Sequence, residues 1–452
     1  MVTGTVNVVH AIDTEGPIYE SVQATFERLE EILGVKIKPS LQNLKKLRKK
    51  EIKLETEELK NRAADFVSET KLNYLSTWSD VEKMVKKISQ PNIRSRIKDT
   101  FGGSWICSWF CLDLVGFKNN PRKKDLGFHN VFDKYNKLKK NLNLEEDELQ
   151  FHFHPMSTYK DAHRFATSFI NSPDLYPSLA RKIIERKFFP SVFRPGFHAE
   201  RPDCNWFLEQ WIPFDLGNQS TKSKNEKSKL GNLSGGRLGD WRGAPDDWSI
   251  YNPSHDDWRK RGNCRRFIGR CLNMNARHSN LTIDEISKAF EKAKKGDEVL
   301  LAFTNHDFRD MTPDILKAQD MLLNVSKRYK DVKFRFSSAS NAFRNVIWPK
   351  YNSNIQSFKL KVGLQQTDKG LRLHIKEKNG TIFGPQPFLA IQTKSGRFIH
   401  DNFDFGLNLS NKKRDWSYFF DNNTVPKIDL KKIGIAANDK FGNTFLQVLN
   451  VV

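Results

Sequence analysis

The sequence has few cysteines and no long apolar run. Five cysteines among 452 residues are odd in number and do not have zinc-ribbon spacing, which predicts reduced, mostly buried thiols. The longest uncharged apolar stretch, residues 101–112, is too short to span a bilayer. No basic region followed by an apolar segment opens the chain, so we expect no signal peptide and a cytoplasmic location.

Several familiar enzyme motifs are also missing. The sequence contains no P-loop, and no Gly-x-Gly-x-x-Gly turn opens a helix. A Gly-x-Ser-x-Gly nucleophile elbow is absent too. These absences argue against a nucleotide-binding enzyme of the common types and against a serine hydrolase of the α/β type.

Negative charge is scarce relative to positive charge. The chain has 75 Lys and Arg against 53 Asp and Glu, which gives a net charge of +22. An acidic partner such as nucleic acid, anionic lipid or an acidic glycan suits this excess. However, much of the excess is lysine in amphipathic helical stretches rather than arginine interleaved with aromatic residues. Nucleic acid is therefore not the expected partner.

The segment that opens the chain carries the first candidate site. The apolar run Val6–Val9 is followed by His10, Asp13, Glu15 and then Gly-Pro. This pattern is typical of a buried strand that delivers carboxylates to the carboxyl edge of a sheet, where the active sites of α/β proteins collect. A strand followed by a solvated turn explains the same residues. The choice between a catalytic strand end and a solvated turn depends on whether later segments supply partners for the carboxylates.

Three later residue groups are possible partners for these carboxylates. In residues 149–155 histidine alternates with phenylalanine, which places His152 and His154 on one face of a strand. Such a pair suits a divalent metal, and the alternative is two core histidines with separate hydrogen-bond partners. Arg194 and His306 each lie at the end of an apolar run. Arg194 either orients a carboxylate or substrate oxygen, or forms a surface ion pair.

A polar segment and an aromatic cluster follow in the middle of the chain. Residues 219–236 are rich in Ser, Lys, Asn and Gly and are predicted to form a mobile loop, after which Asp240 stands close to two glycines. Four nearby aromatic residues either form the floor of a sugar site or simply pack in the core. They are Trp241, Trp248, Tyr251 and Trp258.

Strands alternate with helices from residue 5 to about residue 340, which predicts an α/β barrel or a doubly wound sheet. Within this part, residues 39–98 are dense in Lys and Glu with leucines at helical spacing, and they indicate an inserted helical segment. A further helix is predicted over residues 157–169. From residue 350 to residue 452 the apolar residues alternate with a period of two, as in an antiparallel β-sandwich. The predicted domains are therefore 1–345 and 350–452.

Segments of the first domain resemble, in order, the five motifs of the polysaccharide deacetylase superfamily, a group of metal-dependent carbohydrate esterases. The segments are Ile12-Asp13-Thr14-Glu15, His152-Phe-His154-Pro, Phe193-Arg194-Pro195-Gly196, Asp240-Trp241 and Thr304-Asn-His306-Asp. The resemblance covers about residues 5–345. It implies a distorted (β/α)7 barrel, to which the Lys-rich helical insertion and the C-terminal antiparallel β-sandwich are added.

The resemblance also implies a bound divalent metal, which is Zn²⁺ by expectation and Co²⁺, Ni²⁺ or Mn²⁺ as alternatives. The implied ligands are Glu15, His152 and His154. The family's first motif usually carries adjacent aspartates or Asp-x-Asp, so His10 is a possible substitute for Glu15. Its second motif usually separates the histidines by three residues rather than one, so His163 or His198 is an alternative third ligand.

Four residues receive catalytic roles from the same resemblance. Asp13 is expected to be the base and His306 the acid, while Asp240 and Arg194 orient the reacting groups. The implied reaction removes an acetyl group from an amino sugar or polysaccharide intermediate by means of metal-activated water. Two alternatives stay open: another metal-dependent C–N hydrolase acting on a small amide, and a non-catalytic protein that binds glycan or nucleic acid.

Overall fold

The computed structural model describes residues 3–162, 168–221, 239–276, 279–350, 358–406 and 414–451. Two of the sequence predictions fall in the gaps. His163 lies outside the described residues, and so does the predicted loop 219–236 apart from its first three residues.

Seven parallel strands close into a barrel. They are β1 (Thr5–Thr14), β2 (Cys107–Leu112), β3 (Glu148–Phe153), β4 (Val192–Pro195), β5 (Phe214–Asn218), β6 (Phe267–Asn273) and β7 (Val299–His306). Each strand pairs with the next along the chain, and β7 returns to β1. An eighth strand, β8 (Lys333–Phe336), pairs with the first half of β1 beside the place where β2 pairs with the second half. The predicted α/β barrel is confirmed, and the alternative of an open doubly wound sheet is wrong.

The described residues also form α-helices. They are α1 (Val22–Leu33), α2 (Leu41–Arg48), α3 (Glu57–Phe66), α4 (Glu69–Leu72), α5 (Trp78–Ile88), α6 (Pro91–Arg94), α7 (Asn130–Asn141), α8 (Leu175–Arg181), α9 (Asn205–Trp211), α10 (Ile283–Lys294), α11 (Thr312–Arg328) and α12 (Ala339–Ile347). Helix α1 begins where the Ser21 hydroxyl accepts a hydrogen bond from the Ala24 amide, and it ends at Gly34 with φ of 69°. None of the described helices has both the length and the apolar character needed to cross a membrane.

Alternate residues of the strands face two different cores. On β1, Val9 and Ala11 face the barrel interior, whereas Val8 and Ile12 pack in the outer layer against helices. Helix α12 closes the interior at the amino-terminal ends of the strands, where Phe343 stacks on Phe214 with ring centroids 4.6 Å apart. Only the carboxyl ends of the strands are left for a site inside the barrel.

The predicted helical insertion divides into two parts. Helices α1 to α3 share a small core of their own, which includes Phe26, Leu44 and Phe66. Helix α5, in contrast, buries its apolar face in the outer layer of the barrel beside α11. The first and last residues of this apolar face are Val81 and Ile88, and both are almost fully buried. Only the first part of residues 39–98 therefore stands apart from the barrel.

The helix predicted over residues 157–169 is absent from those of its residues that the structure describes. Residues 157–162 form turns, and residues 168–169 are not helical either. The Ser157 hydroxyl accepts a hydrogen bond from the Asp161 amide at 2.8 Å, and the Lys160 amide donates to the Ser157 carbonyl. A serine that binds backbone groups in this way favours a turn over a helix.

Two antiparallel sheets follow the barrel. The first contains β9 (Lys359–Thr367), β10 (Gly370–Asn379), β13 (Asp404–Phe405) and β14 (Asp415–Phe420), and the second contains β11 (Phe388–Thr393), β12 (Phe398–Asp401), β15 (Leu430–Asn438) and β16 (Thr444–Asn450). Side chains of both sheets, such as Leu373 and Ile433, share one core. The other face of the second sheet packs on α8 and α9 through Phe388 and Trp211.

The five cysteines are all unpaired, as predicted. Four of them are buried and Cys264 is partly exposed. The buried ones are Cys107, Cys111, Cys204 and Cys271.

Candidate metal centre

Six of the predicted site residues meet at the carboxyl end of the barrel. They are Asp13 and Glu15 from the end of β1, His152 and His154 from the end of β3, Arg194 from β4 and His306 from the end of β7. Side chains alternate between the two faces of a strand, and Asp13 follows the interior-facing residues Val9 and Ala11 at steps of two. Asp13 therefore also points into the barrel.

Three of these side chains form a cluster with the donor set of a metal site. Glu15, His152 and His154 are buried, and one ligand atom from each lies within 4.8 Å of the other two. The Nε2 atoms of the two histidines are 2.9 Å apart, and Glu15 Oε1 is 3.6 Å from His154 Nε2. One carboxylate oxygen and two imidazole nitrogens are ligands that Zn²⁺ prefers.

The hydrogen bond that His152 makes fits this reading, whereas His154 Nδ1 is buried without a hydrogen-bond partner among the described residues. His152 Nδ1 donates to the Arg194 carbonyl at 2.9 Å, and its Nε2 faces the cluster. Burial lowers the pKa of His154 well below its ordinary value, and the Glu15 carboxylate offsets only part of that effect. His154 is therefore neutral at pH 7. Two imidazole nitrogens 2.9 Å apart share either a proton or a cation, so the residues fit a metal.

Asp13 and Arg194 form a buried, two-pronged ion pair. Arg194 Nε and Nη2 donate to the two Asp13 oxygens at 2.6 and 2.9 Å, and Nη1 donates to the Leu216 carbonyl at 2.7 Å. Burial opposes ionisation of Asp13, but the guanidinium holds the pKa of that carboxyl far below its usual range. Arg194 therefore orients a carboxylate, and the alternative prediction of a surface ion pair is wrong.

His306 lies at the open side of the group. Its Nε2 is 3.8 Å from Asp13 Oδ2 and 3.8 Å from Glu15 Oε1. Its side chain is 30% exposed, whereas those of the two carboxylates are 2% and 6% exposed. Burial lowers the pKa of His306, and the charges of Asp13 and Glu15 offset part of the effect. A molecule approaching from solvent therefore meets His306 before it reaches the carboxylates.

Two residues of the site were missed by the sequence analysis. Lys124 donates its Nζ proton to Glu15 Oε2 at 2.6 Å and is buried. Asp307 accepts hydrogen bonds from the Glu15 and Gly16 amides and from the Tyr135 hydroxyl, and burial raises its pKa to about 7. Asp307 thus fixes the backbone of the turn that carries Glu15. Its position beside His306 was a signal for it, whereas the residues around Lys124 gave no signal of a buried lysine.

The structure does not bring His10 into the cluster. His10 lies on the opposite face of β1 from Asp13, and its ring stacks on Phe303 in the outer layer. Both ring nitrogens are used there, because Nδ1 accepts from Trp105 at 3.1 Å and Nε2 donates to Asn305 at 3.0 Å. Burial lowers the pKa of His10 to about 3. His10 is a neutral core histidine, so the expectation that it substitutes for Glu15 is corrected.

The remaining predicted residues lie in other contacts. Asp240 pairs with Arg242 at 2.8 Å and with Arg259 at 3.0 Å, rather than with Arg194 or Asp13. His198, the alternative ligand, has its Nε2 at 2.8 Å from the side-chain amide of Gln219. These contacts do not support the predicted orienting role of Asp240, which stays a prediction.

The aromatic cluster is mostly core. Trp241, Trp248 and Tyr251 are almost fully buried, and Trp258 is partly buried with its indole N–H donating to the Asp240 carbonyl. Of the two readings of these four residues, core packing agrees with the structure and the sugar floor does not.

Comparison of the chain with protein-family models, curated proteins and solved structures gave no match. The resemblance to the polysaccharide deacetylase superfamily is therefore still a prediction from the motifs. Any function has to be argued from the cluster itself.

Proposed function

We propose that the chain is a metal-dependent hydrolase of the polysaccharide deacetylase type, which removes an acetyl group from an amino sugar or polysaccharide intermediate. The observation that carries the proposal is the buried cluster of Glu15, His152 and His154, with its ligand atoms within 4.8 Å of one another. The proposal includes the finer description of the fold as a distorted (β/α)7 barrel, residues 1–345, with an accessory β-sandwich domain, residues 350–452.

Glu15, His152 and His154 are the residues that would hold the metal. Zn²⁺ suits this donor set best, and Co²⁺, Ni²⁺ or Mn²⁺ are alternatives. A divalent cation bound there would lower the pKa of water and polarise the substrate carbonyl. Three protein ligands are the usual number in a catalytic zinc site, since a position stays open for chemistry.

The other residues handle protons. The ion pair with Arg194 keeps Asp13 ionised and fixes both of its oxygens, so Asp13 is ready to accept a proton from the attacking water. His306 lies 3.8 Å from Asp13 Oδ2 and faces solvent, so it is placed to give a proton to the leaving nitrogen. The attacking water thus loses its proton at Asp13, and the departing amine gains one at His306.

Metal analysis is the first test of this proposal. Protein purified without chelator is expected to contain about one divalent ion per chain, and His152→Ala should lose most of it, because a ligand is removed. His255→Ala is the matched control, since that histidine is 74% exposed and lies outside the cluster. A correctly folded wild-type protein that binds no divalent metal overturns the proposal.

Acetate release then tests the reaction. His306→Ala should keep the metal and lose about 10²- to 10⁴-fold in the rate of acetate release from N-acetylated glycans, the usual contribution of an acid or base. If the wild type hydrolyses only small amides and releases no acetate from glycans, the deacetylase assignment is wrong although the hydrolase assignment stands.

A further inference from the structure

A lysine from a turn between β2 and β3 reaches into the mouth of the barrel. The side chain of Lys124 is 4% exposed, and its Nζ lies 2.6 Å from Glu15 Oε2. Removing both charges from water is costly, and a buried pair of this kind often contributes little net stability. The position of Lys124 is thus better explained by what it does to Glu15 than by stability alone.

The two oxygens of Glu15 have different neighbours. Oε2 accepts the hydrogen bond from Lys124. Oε1 faces the histidines, at 3.6 Å from His154 Nε2 and 3.8 Å from His306 Nε2. The ammonium group therefore occupies one oxygen and leaves the other directed at the candidate metal position.

The turn that carries Lys124 is firmly held. Asn120 fixes the Lys124 backbone from both sides, since its side-chain oxygen accepts from the Lys124 amide at 2.9 Å and its side-chain nitrogen donates to the Lys124 carbonyl at 2.6 Å. The next residue, Asp125, accepts from the Trp78 indole at 2.7 Å. Trp78 in turn packs so closely on Gly16 that a Cβ there would come within 2.7 Å of the ring. The lysine and the end of β1 are thus tied together.

We propose that Lys124 is a positioning residue that restricts Glu15 to a single metal-binding oxygen, an inference that rests on the proposed function. A carboxylate can bind a metal through one oxygen or through both. With Oε2 occupied by the ammonium group, the protein supplies three ligand atoms rather than four. A metal held there would thus keep positions open for other ligands, which is the usual arrangement of a catalytic zinc site.

Cobalt provides a direct measurement of this role. Metal-free protein is titrated with Co²⁺ alone, and its visible absorption reports the coordination number, because added ligands weaken the absorption. Lys124→Met should bind Co²⁺ at least as tightly as the wild type, since a nearby positive charge is gone, but with weaker absorption. Its kcat for acetate release should fall about 10- to 100-fold, as is usual when a residue that orients a ligand is lost.

Two variants complete the experiment. Lys124→Arg keeps the charge and the donor and should restore most of the wild-type spectrum, while Lys123→Met, a change at the exposed neighbouring lysine, should leave both spectrum and kcat unchanged. If Lys124→Met does not fold, Asn120→Ala replaces it and should weaken the absorption through the loosened turn.

The outcomes separate the two proposals. A wild-type protein that binds no Co²⁺ removes the metal centre and this inference with it. A wild-type protein that binds Co²⁺, together with a Lys124→Met variant of unchanged spectrum and kcat, overturns only the role of Lys124. A lower melting temperature of Lys124→Met without a change in the Co²⁺ spectrum also overturns it, because the lysine then has only a structural role.

Discussion

Replacing Arg194 by methionine isolates the electrostatics of the buried pair with Asp13. Methionine keeps most of the apolar volume but removes both hydrogen bonds to Asp13, which is itself 2% exposed. Breaking a buried ion pair from one side costs about 3 to 5 kcal/mol, because the other charge is left uncompensated. The Leu216 carbonyl also loses its donor, which adds about 1 kcal/mol.

The cost should depend on pH in a defined direction. In the wild type the pKa of Asp13 lies far below its ordinary value of 3.8, so the stabilisation is present above about pH 4 and is lost as the pH falls through the folded pKa. In Arg194→Met the burial of Asp13 dominates and raises its pKa. Protonation then relieves the unpaired charge, so the deficit of the variant shrinks between pH 7 and pH 5.

Urea denaturation followed by tryptophan fluorescence, with chelator present, measures these free energies. The double variant with Asp13→Asn should recover part of the loss, since no unpaired carboxylate is left in the barrel. A deficit below about 1 kcal/mol at pH 7 would contradict the prediction, because breaking a buried ion pair costs far more. A deficit unaffected by pH and by Asp13→Asn refutes it equally.

Two further predictions concern stability. Gly16→Ala should lower the free energy of unfolding by about 1 to 3 kcal/mol, because φ is 76° and the new Cβ would meet the Trp78 ring. Gly34→Ala is the control and should cost less, since φ is similar at 69° but, its chain neighbours apart, no atom of the described residues lies within 4 Å of the new Cβ. Equal losses of stability in thermal melts would contradict the role of Trp78. His10→Gln should lessen the acid sensitivity of the protein. Unfolded His10 takes up a proton near pH 6.5 and folded His10 only near pH 3, so the free energy of unfolding of the wild type falls with decreasing pH over that interval by up to about 1.4 kcal/mol per pH unit. Parallel plots of unfolding free energy against pH for the two proteins would contradict this.

The strands and their ends could be predicted because both are encoded locally. An apolar run that stops at ionisable residues marks a buried strand and its carboxyl end, and alternation then sorts the side chains between the two faces. His152 and His154 share a face for this reason, and so do Asp13 and Glu15. The same rule could have excluded His10, since it is an odd number of residues from Asp13 and therefore points to the other face.

The contacts that complete the site could not be predicted, because they depend on tertiary distance. Lys124 is 109 residues from Glu15, and nothing in a turn of Asn, Pro, Arg and Lys distinguishes a buried lysine from a solvated one. The prediction of a helix at 157–169 failed for a local reason instead, since the Ser157 hydroxyl competes for backbone hydrogen bonds. Asp240 matched a motif, but it pairs with Arg242 and Arg259, which both follow it in the chain.

The two cations of the site give the cluster its electrostatic character. Asp13 is neutralised by Arg194 and Glu15 by Lys124, so the four charges balance before any metal is considered. His154 is neutral at pH 7 because burial lowers its pKa. Were a divalent cation held by Glu15, His152 and His154, its charge would not be offset by the carboxylates and would be available to stabilise negative charge on a substrate oxygen.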